Sequence, residues 1–78
     1  MRISVIKDKG IGYLTPVDKA IVKFAIENNV KEAHSSQKHV TLKDMPDGTI
    51  QVRSCSTYVE SIGDVAKEHC FISYIRVK

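Results

Sequence analysis

The chain predicts an α+β sandwich of the split βαβ type: strand, helix, strand, strand, helix, strand. Three observations carry that reading. The stretch Lys38 to Ser54 alternates apolar and polar residues on both sides of a marked turn. Two other stretches repeat their apolar residues at helical spacing behind helix-start signals, and the two ends of the chain alternate like strands. Two helical crossovers and a central antiparallel hairpin give the ferredoxin-like arrangement, with a four-stranded sheet and two helices on one face.

At the N-terminal end, Arg-Ile-Ser-Val-Ile-Lys reads as a first strand, with Ile3 and Val5 inward and Arg2, Ser4 and Ile6 outward. Asp8-Lys9-Gly10 ends it as a turn. Gly10 to Leu14 reads either as a loop or as a short strand returning on the first, which would make five strands beside the two helices. Thr15-Pro16-Val17-Asp18 is a helix start: Thr15 caps, Pro16 suits the first helical position, and Asp18 complements the helix dipole. Val17, Ala20, Ile21, Phe24 and Ala25 follow at helical spacing. Asn28-Asn29 stops the helix, although Val30 and Ala33 would let it continue to Ala33. Its apolar face is wide enough to touch more than one neighbour.

His34 to Gln37 has no period and reads as a connector. In the hairpin, Val40, Leu42, Ile50 and Val52 face the core, and Pro46, Asp47 and Gly48 make the turn. Thr57 and Glu60 then match a capping box opening a second helix, with Tyr58, Ile62, Val65, Ala66 and His69 as its inner stripe. Gly63 weakens that helix by about 1 kcal/mol relative to alanine. The last nine residues, Cys70 to Lys78, form a terminal strand, with Phe71, Ser73, Ile75 and Val77 on one face.

Seventy-eight residues make one domain spanning the whole chain, 1–78, too small to spare core volume for a deep substrate cavity. The net charge of +3 is mildly basic. No apolar run approaches the ~18–20 residues of a membrane span, and no signal-peptide pattern follows Met1. With two cysteines, Cys55 and Cys70, the chain does not read as a secreted disulfide scaffold, so a reducing cytoplasm is expected.

Chemistry is sparse. His34, His39 and His69 share no zinc spacing with each other or with the cysteines, and Cys70 reads as a small buried residue; no metal and no cofactor is expected. Gly10-Ile11-Gly12 before a helix start matches neither phosphate-loop pattern. Ser35, Ser36, Lys38 and His39 form no oriented catalytic set, so the chain is expected not to be an enzyme.

What stands out is the open face of the sheet. The outward residues are Arg2, Ser4, Ile6, His39, Thr41, Lys43, Thr49, Gln51, Arg53, Ile72, Tyr74, Arg76 and Lys78, several basic and none acidic. Such a face is commonly just solvated. It also has the composition of a docking surface, with Arg53, Tyr74 and Arg76 as anchors and Arg2, His39 and Lys43, beside Gln51, around them. The expected function is therefore a non-catalytic regulatory module that binds a protein partner. RNA or single-stranded DNA is the alternative ligand, although nucleic-acid sheets usually carry more than one stacking aromatic. A homodimer through an exposed terminal edge strand is a further expectation.

Overall fold

The structure, a computed structural model, describes residues 1–10 and 12–78. It holds five strands and one helix: β1 (Ile3–Lys9), α1 (Pro16–Glu27), β2 (Glu32–Ser35), β3 (Lys38–Asp44), β4 (Ile50–Tyr58) and β5 (Lys67–Val77). All strands join one antiparallel sheet in the order β1-β5-β4-β3-β2. The ferredoxin-like sandwich is therefore overturned, and with it the α+β description. The fold is mostly sheet, with one helix on one face and no parallel pair among the described strands.

The central hairpin forms as its alternation predicts. Leu42 stands opposite Val52 and Val40 opposite Ser54. Val40, Leu42 and Val52 are buried, and Ile50 packs against them. In the turn, Gly48 takes φ +87° and its N–H donates to the Met45 carbonyl at 3.1 Å. Asp47 Oδ1 accepts from the Thr49 backbone N–H at 3.0 Å and from its hydroxyl. Thr49 is buried, so it offers little surface to the outward face where alternation placed it.

Where a second helix was expected, β4 runs on to Tyr58 and β5 starts at Lys67. The reason is pairing: Ser54 to Tyr58 lie opposite Phe71 to Lys67, and a strand partner removes the option of a helix. Thr57 donates its N–H to the Gln37 carbonyl at 2.9 Å instead of capping. Gly63 at φ +90° turns the connecting loop, 59–66, which leaves Ile62 fully exposed and Val65 84% exposed. Helical spacing in that loop is thus a coincidence of apolar residues.

The first strand continues through the expected turn to Lys9 and pairs antiparallel with β5, which is interior and has no free edge. Between Val5 and Lys7 the register shifts by one residue. Ile6 is the extra residue of a bulge. Unbroken alternation would aim Lys7 and Lys9 at the core. The bulge turns both outward, opposite Tyr74 and Ile72, and brings Asp8 to the inner face, where Ser73 Oγ donates to Asp8 Oδ1.

Beyond β1 the chain crosses back over the sheet. Ile11 lies outside the described residues, and residues 12–14 form no strand. A Cβ on Gly12 would come within 2.8 Å of the Phe71 ring, so glycine lets the backbone lie flat on it. Leu14 then enters the core.

Helix α1 starts as predicted and stops at Asn28, with Asn29 left-handed at φ 53°. The chain reverses there, so the helix does not reach Ala33, which lies in β2. The stretch read as a connector is itself mostly strand: His34 and Ser35 pair with His39 and Lys38 around a two-residue turn at Ser36 and Gln37. Asp18, Ile21, Val22 and Ala25 face the sheet at i, i+3, i+4 and i+7. On the other side Val17 and Phe24 stay more than half exposed, lining with Ala20 and Ala33 a groove of ≈ 370 Å³ beside edge strand β2.

Asp18 is the buried polar centre. It is 0% exposed. Oδ2 accepts from the Thr15 backbone N–H at 3.0 Å and from its hydroxyl at 2.7 Å. Oδ1 accepts from Lys38 Nζ at 3.0 Å and from Ser54 Oγ at 2.9 Å. Burial alone would raise the carboxyl pKa. The bonds from Thr15, Lys38 and Ser54 outweigh it and hold the group below its ordinary 3.8. A depressed folded pKa gives stability that is whole above about pH 4 and is lost as pH falls through the folded value.

Replacing Asp18 by Ala leaves Lys38 half-buried without its partner, and the expected cost is on the order of 3–5 kcal/mol. Urea unfolding at pH 7 reads this as a large drop in midpoint. Wild type should lose stability steeply in acid, and Asp18→Asn should flatten that acid limb. Gly12→Ala should destabilise independently through its clash with Phe71.

Candidate functional site: the open face of the sheet

The helix and the crossing segment cover one face only. Cross-strand register sorts the other face into rows. Lys43, Gln51, Tyr74 and Lys7 make one row across β3, β4, β5 and β1; Thr41, Arg53, Ile72 and Lys9 make the next. Glu32 of β2 extends the second row. Ser4 stands opposite Arg76, and Arg2 pairs with Lys78 through reciprocal backbone bonds of 2.8 and 2.9 Å.

Tyr74 lies near the centre. Gln51 Nε2 donates to its hydroxyl at 3.0 Å, and Lys9 Nζ sits 5.6 Å from its ring centroid. The first is a fixed cross-strand bond and the second a cation–π contact, so the ring is held from both sides. Ile6, Lys7, Lys9, Asp47, Thr49 and Tyr74 line a shallow depression of ≈ 250 Å³. At its rim, bonds from Thr49, helped by the nearby Arg76 charge, keep Asp47 below the ordinary carboxylate range.

The expected residues Lys43, Gln51, Arg53, Tyr74 and Arg76 thus share one surface. Arg2 belongs at its corner. His39 faces outward but is committed elsewhere. Its ring stacks on His34 at 4.3 Å between centroids, and its Nε2 lies 3.3 Å from Glu32 Oε1. The face also departs from its expected all-basic character, because Glu32 and Glu68 fall on it. Sequence reasoning missed Lys7 and Lys9, since no residue pattern announced the bulge. Among the described residues, Lys7, Lys9, Lys43, Arg53 and Arg76 make no ion pair.

A last row runs through His34, His39, Cys55 and Cys70. The cysteines stand directly opposite and are joined by a disulfide, with Cα atoms 4.1 Å apart. That spacing marks the narrow, non-hydrogen-bonded kind of antiparallel pair. The expectation of a small buried Cys70 is corrected: Cys70 is half-buried and disulfide-bonded, and Cys55 is the buried partner. Reading Thr57 and Tyr58, both strand-favouring types, as a continuation of the hairpin strand would have brought the two together. Among the described residues no helix is long and apolar enough to cross a membrane.

Comparison with protein-family models, curated proteins and solved structures finds no match to this chain.

The disulfide closes a loop of sequence separation 15, for which chain entropy predicts about 3 kcal/mol. Reduction should lower the urea midpoint by a corresponding amount, and the Cys55→Ser/Cys70→Ser double variant should match the reduced wild type.

Proposed function

We propose that the chain is a small non-catalytic binding module that docks an acidic protein partner on the open face of its sheet. One observation supports this above the others: among the described residues Lys7, Lys9, Lys43, Arg53 and Arg76 share the face that holds Tyr74 and none is in an ion pair, Asp47 at the rim being the acidic group that feels Arg76. Cations left unpaired on a common surface produce a positive field that attracts and orients an acidic ligand. Tyr74, braced by Gln51, offers a rigid amphipathic anchor at low entropy cost, and arginine is the basic residue most often found at interface hot spots.

Protein suits the surface better than single-stranded nucleic acid. Base stacking needs a series of aromatic platforms, and Tyr74 is the lone aromatic in these rows, its ring already under Lys9. Cysteines, a stacked histidine pair and Glu32 complete the face, and Glu32 and Glu68 would repel a continuous phosphate track.

The reading is tested with a fluorescent acidic polypeptide, poly-glutamate, and a single-stranded oligonucleotide of similar charge. The polypeptide should bind, and Lys43→Glu/Arg53→Glu should weaken binding by about tenfold or more without changing the far-UV spectrum. Equal binding by wild type and double variant would remove the face from the mechanism. Tighter binding of the oligonucleotide, with a steep fall in affinity as salt rises, would reassign the surface to nucleic acid.

A further inference from the structure

We propose that Cys55, Cys70 and Glu68 form a thiol-gated site for a soft divalent cation of the zinc class, closed while the disulfide stands and opened by a dithiol. The two sulfurs and a Glu68 oxygen lie within 4.8 Å of one another. Sheet geometry puts them there: Glu68 and Cys70 are two apart on one face of β5, and Cys55 is opposite Cys70 on β4. The ladder therefore holds the donors together before any ion arrives. Two thiolates and a carboxylate are a donor set that zinc accepts, at bond lengths of about 2.0–2.3 Å.

The surroundings suit that use. Glu68 Oε1 is 3.3 Å from Cys70 Sγ. A disulfide sulfur has no proton, so this is a close approach of two electron-pair donors and not a hydrogen bond. Arg53 Nη2 is 3.6 Å from the same sulfur. Its side chain is exposed and can turn away from an entering cation. Cys55 is buried, Cys70 half-buried and Glu68 exposed, so the site is walled on the sheet side and open to water for a fourth ligand. His39, opposite Cys55 in β3, lies on the far side and faces Glu32.

The chemistry balances in two steps. A dithiol gives two electrons and two protons to the Cys55–Cys70 bond; the S–S bond breaks, two S–H bonds form, and the dithiol closes to its own disulfide. The cation then replaces both thiol protons, which pass to solvent. The inference is independent of what docks on the basic rows.

The test uses the full chain, reduced with a phosphine, and Co²⁺ as a spectroscopic probe displaced by Zn²⁺. The expected result is one Co²⁺ per reduced chain with sulfur-to-cobalt charge-transfer absorption, and none for the oxidised chain. Cys70→Ser should abolish that absorption. Glu68→Gln, an exposed change outside the core, should weaken binding by about tenfold or more, since loss even of an outer-shell partner costs this much. Equal binding by oxidised and reduced protein, unchanged binding by Cys70→Ser, or absence of the charge-transfer band would each overturn the proposal. Circular dichroism covers the case of lost structure: if reduction unfolds the chain and Zn²⁺ does not restore the strand signal, the site does not exist.

Discussion

The structure depends on one buried carboxylate. Asp18 stands where helix α1 meets the sheet and accepts bonds from its own cap, from β3 and from β4. An apolar stripe alone would let a helix of 12 residues slide or rotate over a sheet, because hydrophobic contact is non-directional. Four bonds to two oxygens permit only one placement. The cost of desolvating the charge is offset by those bonds, and specificity of docking is what remains. The helix is thus tied to the β2–β3 side of the sheet. Over β5 the core is closed instead by the crossing backbone, which is why Gly12 must lie on Phe71.

This arrangement leaves the other sheet face bare, and its chemistry follows from the register. Every side chain there is placed by ladder pairing, so rows of unlike chemistry lie side by side: a tyrosine among cations, then arginine with threonine and isoleucine, then histidines and cysteines. A single bulge at Ile6 decides whether two lysines face water or the core. In a domain this small, where burial supplies a few kcal/mol at most, burying two lysines would be decisive. The disulfide ties the same face within the β4–β5 ladder, three residue pairs before the loop that joins those strands.

Local determinants were legible in the sequence and distant ones were not. The Val40 to Val52 hairpin and the Thr15 cap are encoded by neighbours, and both appear where their residues place them. β2 was not legible: Glu-Ala-His-Ser carries little strand propensity and is held by pairing with β3. The missing second helix fails for the complementary reason, since Tyr58, Ile62, Val65 and Ala66 mimic helical spacing while Tyr58 and the residues before it, and those from Lys67 on, find strand partners. Of the candidate surface, residues on β3, β4 and β5 were legible because the hairpin and the terminal strand set their alternation. Lys7 and Lys9 required the bulge, and the juxtaposition of Cys55, Glu68 and Cys70 required the β4–β5 register. Asp18 was recognised as a helix-start residue, but nothing local announced Lys38 and Ser54 as its partners.

The pairing of Arg2 with Lys78 has a topological consequence. The two ends of the described chain lie side by side on neighbouring strands, joined by reciprocal backbone bonds. A short linker would bridge them without disturbing the ladder. New ends opened in the 59–66 loop would cut no strand pairing, and the Cys55–Cys70 bond would still hold the strands on either side of the opening. The fold is thus suited to circular permutation, with its chain order rewritten and its sheet kept.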